Sequence, residues 1–369
     1  MKAILNCEVS KMKNDQAINQ TFTNGTARRS NRAWRAALLM LLVLTLTGSI
    51  FGQIKKTEPK VQQQEPIEKI ENSKDIAYTT FYYKNDGLNI EAYFYKPEGN
   101  GPFPLVIYNH GSRAGNESKE IRWKFIAEML VPQGYAVLVP ERRGYGKSDG
   151  QTFSEETGGD DGARMMKRFR EEASDVLAGL DYLKNNWAAL APKGEAKVSQ
   201  EKEATLSSNP IGKILSINPI DFKRVAIMGW SHGGVVSLLA ASTRHDFVVL
   251  VDQAGGALTW NRSSTLQHDL PEAAGKIKVP ALCMDAENDA TTESAKQVCQ
   301  AVKASGEAEK TIIYPPFTPS SNPSNIAPGH LIFGQGAYIW QDDLLTFLKP
   351  RLASKSRLEK VGPVKAANK

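Results

Sequence analysis

The stretch Arg224-Val225-Ala226-Ile227-Met228-Gly229-Trp230-Ser231-His232-Gly233-Gly234-Val235-Val236-Ser237-Leu238-Leu239-Ala240 decides the fold. Val225 to Met228 is a short, apolar, β-branched run, the pattern of a buried strand. Val235 to Ala240 continues as an apolar, helix-compatible stretch. Between them Gly229-Trp230-Ser231-His232-Gly233 carries the spacing Gly-x-Ser-x-Gly. So sharp a strand-to-helix turn forces Ser231 into a strained backbone and leaves no room for side chains at Gly229 and Gly233. The strain holds the Ser231 hydroxyl clear of the sheet, and the helix N-terminus offers free N–H groups to a developing oxyanion. Ser231 is therefore the candidate nucleophile. The pentapeptide alone also reads as a glycine-rich turn with an incidental serine; the strand before it and the helix after it argue for the nucleophile.

Outward from this stretch, strands and helices alternate. Tyr78 to Tyr83 and Leu88 to Tyr95 alternate in polarity around Asn85-Asp86-Gly87, a β-hairpin signature. Further strands are expected at Leu105 to Tyr108, Ala136 to Val139, Phe247 to Val251, Val279 to Met284 and Thr311 to Tyr314. Helices are expected at Glu117 to Leu130, Arg168 to Asn186, Thr292 to Ala304 and Tyr338 to Leu348. This order predicts an α/β fold, a mostly parallel sheet with helices on both faces and an N-terminal hairpin. The catalytic body is expected over residues 78–352, interrupted by a polar insertion over 192–219. The stretch from Val251 to Val279 reads as a short polar connection.

The chain has 369 residues, enough for one large domain with appendages, and 41% of them are hydrophobic, enough for a sizeable core. The formal charge of +6 resides in the ends. Removing the fourteen basic and three acidic residues of 1–52 and 349–369 leaves 32 basic against 37 acidic, which argues against a nucleic-acid face on the body. Arg28, Arg29, Arg32 and Arg35 precede an apolar run over 36–51, the order of a signal peptide or an N-terminal membrane anchor. Residues 1–52 are therefore expected to direct the chain out of the cytoplasm, to the periplasm or beyond, or to tether it through 36–51; Met12 is an alternative start. Residues 53–77 read as a flexible linker and 353–369 as a basic, disordered tail. No propeller of ~40-residue blades fits into that linker. Among the three cysteines, Cys7 stands apart. Cys283 and Cys299 are expected as two buried free thiols, with a disulfide between them as the alternative in an oxidising compartment.

A serine nucleophile needs a base, an orienting carboxylate and two oxyanion donors. Of the five histidines, His110, His232, His245, His268 and His330, only His330 follows both the nucleophile and the last strand. His232 directly follows Ser231, so its side chain points away from the hydroxyl while its N–H can serve the oxyanion. The acid is sought between Ser231 and His330, in Cys283-Met284-Asp285-Ala286-Glu287-Asn288-Asp289. Asp289 falls on the loop and is preferred; Asp285 at the strand end comes second and Asp252 third. The proline-rich approach from Tyr314 to Pro328 is either a wall of the pocket or a stiff surface loop. Gly144-Tyr145-Gly146-Lys147-Ser148 lacks the full spacing of a phosphate loop. No metal or cofactor site is expected.

The order Ser231, Asp289, His330 resembles that of the α/β-hydrolase superfamily. With His110-Gly111-Ser112, Arg142-Arg143-Gly144-Tyr145-Gly146-Lys147-Ser148 and Gly329-His330, the chain is similar to the dienelactone-hydrolase-like branch, with some likeness to the catalytic domains of prolyl-oligopeptidase-type enzymes. The resemblance covers about Tyr78 to Leu352. It implies oxyanion donors in the N–H groups of Ser112 and His232. The chain departs from dienelactone hydrolases in carrying Ser231 where they have cysteine. The implied activity is that of a serine hydrolase acting on a small-molecule ester, with a serine peptidase and a non-catalytic binding module on the same scaffold as alternatives.

Overall fold

The computed structural model describes residues 76–190 and 219–353. The signal or anchor segment and nearly all of the linker, the polar insertion and the basic tail lie outside the described residues. Among the described residues no helix is long and apolar enough to cross a membrane.

The described residues build one eight-stranded sheet in the order β1-β2-β4-β3-β5-β6-β7-β8. Strands β1 (Tyr78–Asn85) and β2 (Leu88–Tyr95) form the antiparallel hairpin, closed by Asp86 and Gly87. Both turn residues have positive φ, which Gly87 adopts freely and Asp86 tolerates. Strand β2 joins β4 (Ala136–Pro140) antiparallel. From there β3 (Phe103–Asn109), β5 (Ile220–Trp230), β6 (Val249–Gln253), β7 (Ala281–Ala286) and β8 (Glu309–Tyr314) run parallel.

The runs Leu105 to Tyr108, Ala136 to Val139, Val225 to Met228, Val249 to Val251 and Ala281 to Met284 are apolar because both faces of the sheet are covered there. Leu105, Ile107, Leu138, Val225, Ile227 and Leu250 belong to one buried cluster. There they meet α3 (Ala163–Leu190), α4 (His232–Thr243), α6 (Ser264–Ala274) and α7 (Glu293–Ala304). Val106, Val137, Val139, Ala226, Met228 and Val251 face the other cluster, with α1 (Lys124–Leu130) and α9 (Ala337–Arg351). The short helices α2 (Phe153–Thr157) and α8 (Ile332–Gln335) precede α3 and α9 in the chain. Alternate residues of single strands thus feed opposite layers, the period-two rule of an extended chain.

Three expectations are corrected. The helix expected from Glu117 starts only at Lys124. Its intended first turns are spent elsewhere: Glu117 and Lys119 give their carbonyls to Gly146 N–H and the Arg113 guanidinium, and Trp123 at φ 51 breaks the helical path. The connection after β6 is not merely polar but folds into α5 (Ala257–Trp260) and α6, the latter capped by the Ser263 hydroxyl accepting from Leu266 N–H. Cys283 and Cys299 are joined in a disulfide rather than left as thiols. Strand β7 and helix α7 pack together in the core, which brings the two buried sulfurs into bonding reach.

Candidate active site

Ser231 sits between β5 and α4 at φ 59, ψ −119, a conformation that costs a non-glycine residue of order 1–3 kcal/mol. The turn closes because its neighbours have no side chains. A Cβ on Gly229 would run into the carbonyl of Gly233, and one on Gly233 into the carbonyls of Asn109 and His110. Hydrogen bonds pin the bend: Ser231 N–H donates to Gln253 O at 2.8 Å, and Gly234 N–H to Ser231 O at 3.0 Å.

The Ser231 hydroxyl lies 2.7 Å from Nε2 of His330, and Nδ1 of His330 lies 2.7 Å from Oδ2 of Asp289. Residues 99 and 41 positions apart thus stand in one hydrogen-bonded line. The Asp289 and His330 side chains are all but excluded from solvent, whereas Ser231 is half-buried at the floor of a cleft.

Three further residues, whose supporting roles sequence reasoning did not assign, hold this line. Trp230 Nε1–H donates to the His330 carbonyl at 3.1 Å, tying the histidine loop to the elbow. Asn288 exchanges two bonds with the backbone of Phe317, its Nδ2 donating to the carbonyl and its Oδ1 accepting the N–H, and so clamps the proline-rich segment to the acid loop. Gly329 lets the two loops touch: a Cβ there would lie 2.5 Å from Asp289 N. Gly229 and Gly233 were legible in the elbow motif, but only folding brings Trp230, Asn288 and Gly329 onto the histidine and acid loops.

The other carboxyl candidates do not reach His330. Asp285 is fully buried in β7 and accepts from Ala286 N–H at 2.8 Å. Burial, reinforced by the nearby Asp289 charge, pushes its carboxyl up to about 9. Asp252 is buried at the end of β6, takes Gly255 N–H at 2.9 Å, and is pushed up to about 7 by burial. Both hold backbone turns at strand ends. His245 and His268 are exposed. His110 is fully buried, its ring 2.8 Å from Gly111 O and 3.2 Å from Glu141 O, and burial lowers its pKa well below the ordinary imidazole value.

Cavities open on both sides of Ser231. One, of about 280 Å³, runs past His232 and is lined by Phe153, Met165, Phe169, Val235 and Leu266. The other, of about 440 Å³, is bounded by His330, Trp230, Asn116, Lys119 and Ile326. The proline-rich segment is therefore a wall of the cleft. Ser112 lines both cavities and His232 opens α4, so the two residues expected to supply oxyanion donors flank the hydroxyl. The Gly144 to Ser148 loop faces carboxylates instead of an anion: a Cβ on Gly146 would lie 2.7 Å from Glu91 and Glu141 oxygens, and Lys147 pairs with Glu120 at 3.1 Å.

Fold, cleft and hydrogen-bonded line together point to a class: the chain has the α/β-hydrolase fold, and its Ser231–His330–Asp289 line has the geometry that serine hydrolases require. The model of the X-Pro dipeptidyl-peptidase (S15) family matches residues 86–265, just under half of the chain. Among solved structures, the uncomplexed acylaminoacyl peptidase of Pyrococcus horikoshii aligns at a TM-score of 0.52 and 16% identity over 78% of this chain. The match spans only 44% of that enzyme's length. The Pyrococcus furiosus esterase aligns at a TM-score of 0.48 and 16% identity, over 75% of this chain and 92% of that one. At such identities the likeness is one of fold. The comparison with curated proteins returned no match.

Proposed function

We propose that the chain hydrolyses carboxylic esters of modest size through an acyl-enzyme on Ser231. The observation that carries this reading is the line Ser231–His330–Asp289, two 2.7 Å bonds ending at a half-buried hydroxyl. His330 Nε2 takes the hydroxyl proton as Oγ attacks the ester carbonyl. Asp289 accepts from Nδ1–H, fixes the tautomer and stabilises the imidazolium. The N–H groups of Ser112 and His232 receive the developing oxyanion. Collapse expels the alcohol with the proton from His330, and water repeats the sequence to free the acid. His330 borders the wider cavity, so the leaving alcohol belongs there, beside the group that must protonate it. The acyl group then lies in the narrower cavity, whose apolar floor suits a short aliphatic chain.

A second reading, a serine peptidase, is favoured by the S15 family match. An amide needs its poor leaving amine protonated in tight register, and the leaving-group side here is the wider of the two. Steady-state kinetics on a short-chain aryl ester and its matching anilide separate the readings. We expect kcat/KM for the ester to be larger by roughly 10³-fold or more; comparable values would establish the peptidase.

We also propose that the protein works outside the cytoplasm, by secretion or by tethering through residues 36–51. The arginines ahead of that apolar run and the Cys283–Cys299 disulfide support this. Fractionation of cells expressing the full chain tests it, and recovery in the cytoplasm with Met1 intact would refute it.

A further inference from the structure

Beneath the elbow lies a polar assembly that the Ser231–His330–Asp289 line does not use. The side chains of Arg142, Arg168 and Glu172 are fully excluded from solvent, and His232 is nearly so. Glu172, on α3, accepts from Arg142 Nε at 2.8 Å, from His232 Nε2 at 2.6 Å and from Arg168 Nε at 2.9 Å. The far end of the Arg142 fork donates through Nη2 to the carbonyl of His110 at 3.0 Å. One continuous path therefore runs from the His232 ring through Glu172 and Arg142 to the His110 backbone.

The two ends of that path are the two segments on which the oxyanion donors sit. His232 is the residue after the nucleophile. His110 is two residues before Ser112, and Gly111 between them lies against the elbow, where an added Cβ would meet Ser231 Cβ at 3.4 Å. The backbone pairing of β3 with β5 ends at Asn109 and Gly229, and the Ser112 loop and the first turn of α4 lie beyond it. Yet an oxyanion hole works only with both donors about 2.7–3.1 Å from the same oxygen. A misplacement of about 1 Å can cost on the order of 10²-fold in rate.

Two observations indicate that the assembly does more than fill space. Arg142 is held at φ 56, in the left-handed region that costs a side-chain-bearing residue about 1–2 kcal/mol. From that position its guanidinium reaches the His110 carbonyl under the β3 loop. In addition, burying a carboxylate among two guanidiniums commonly returns less than well-packed apolar groups would, unless the arrangement secures a geometry. The imidazole of His232 is boxed by Phe153 and Phe169, edge to face at 4.6 and 4.7 Å. Burial lowers its pKa, so at neutral pH it is uncharged and its Nε2–H donates to Glu172.

We propose that Glu172 and Arg142 are positioning residues: together with the His232 ring they tie the Ser112 loop to the elbow and set the spacing of the two oxyanion donors. The proposal rests on the reading of Ser231 as nucleophile. It makes the oxyanion hole a product of side chains 30 and 60 positions apart rather than of the elbow alone.

His232→Phe is the deciding variant. A phenyl ring fits among Phe153 and Phe169, and Glu172 keeps both arginines, so the fold has no unpaired charge to expel it. Kinetics of the full chain are measured with an aryl ester and with a trifluoromethyl ketone bearing the same acyl group, which forms a hemiketal oxyanion on the serine. We expect kcat to fall about 10–100-fold with KM within about threefold. The inhibition constant of the ketone should rise by the same factor, and the acid limb of the pH profile should not move. Glu172→Gln should show the same split at greater size. A His232→Phe protein of native circular dichroism with wild-type kcat and ketone affinity would overturn the tie, as would a loss confined to KM. If the wild type itself neither hydrolyses the ester nor reacts with a fluorophosphonate, the reading of Ser231 fails instead, so the two failures are distinguishable.

Discussion

Polar groups are buried at two places along the carboxyl ends of the strands, and they are bonded very differently. At β5, β7 and the loop after β8, Ser231, His330 and Asp289 form a single file, each side chain joined to the next by one bond. At β3, β4 and the facing side of α3, bonds are crowded. Glu172 accepts from three side chains. Asp175 accepts the Arg143 backbone N–H at 3.0 Å, its Nε and Nη2 at 2.9 and 2.8 Å, and Asn85 Nδ2 at 2.8 Å. A group that must give up or take a proton cannot be held by several charge-assisted bonds, because each stabilises one protonation state. The single file can change state; the crowded region cannot, and its rigidity is available to fix the backbone around it. The two regions on one sheet edge thus differ in how firmly their polar groups are held.

The largest effect should come from breaking the single file at its open end. Ser231→Ala should lower ester turnover by about 10⁵–10⁶-fold and abolish fluorophosphonate labelling. The melting temperature should stay within a few degrees, since the hydroxyl is half-buried and makes no second side-chain bond. Labelling at the wild-type rate would dismiss Ser231.

Next comes the closed end of the file. Asp289→Asn should cost roughly 10³–10⁴ in kcat by presenting a donor where His330 Nδ1–H needs an acceptor. Asp285→Asn, four residues earlier, should leave kcat within about tenfold. A reversal of these two outcomes in parallel kinetic assays would move the acid to the strand end.

The crowded region should answer in stability. Arg143→Ala leaves Asp175 buried without its cation, and should cost about 3–5 kcal/mol by urea unfolding. A cost under 1 kcal/mol would show that this region is not the rigid partner in the comparison.

The smallest effect is a pH dependence at Asp285. Burial pushes its carboxyl up to about 9 in the fold, from the ordinary value of 3.8 that the unfolded chain keeps. At pH 3 both states carry the proton, and the group has no differential effect. Between those values the native state keeps a proton that the unfolded chain has released, so stability falls as pH rises. Asp285→Asn removes this dependence. It should raise stability by about 1–3 kcal/mol at pH 8 relative to its effect at pH 4. Paired melting curves at the two pH values check this, and equal shifts at both would refute it.

The parts of the molecule legible in the sequence are those whose physics is local. The hairpin is set by Asp86-Gly87 between alternating strands, and the doubly covered sheet by continuous apolar runs such as Val225 to Met228 and Ala281 to Met284. The elbow is set by two glycines where any Cβ would strike a carbonyl. That Ser231, Asp289 and His330 share one edge follows from the parallel topology, which delivers the carboxyl ends of β3 to β8 to the same side. What local pattern could not settle depends on paths through space. Residues 117–123 have helical composition, but their carbonyls are taken by Gly146 and Arg113. Cys283 and Cys299 became a pair only when β7 met α7. Asp289 and Asp285 are chemically alike in sequence, and only the close approach that Gly329 permits put His330 against the first. Nothing in the spacing of Arg142, Glu172 and His232 announces a shared site, because a hydrogen bond across 60 residues has no period to read. Strand and helix follow from neighbours in the chain; partners of buried charges follow from which strand ends and helix faces the folded sheet sets side by side.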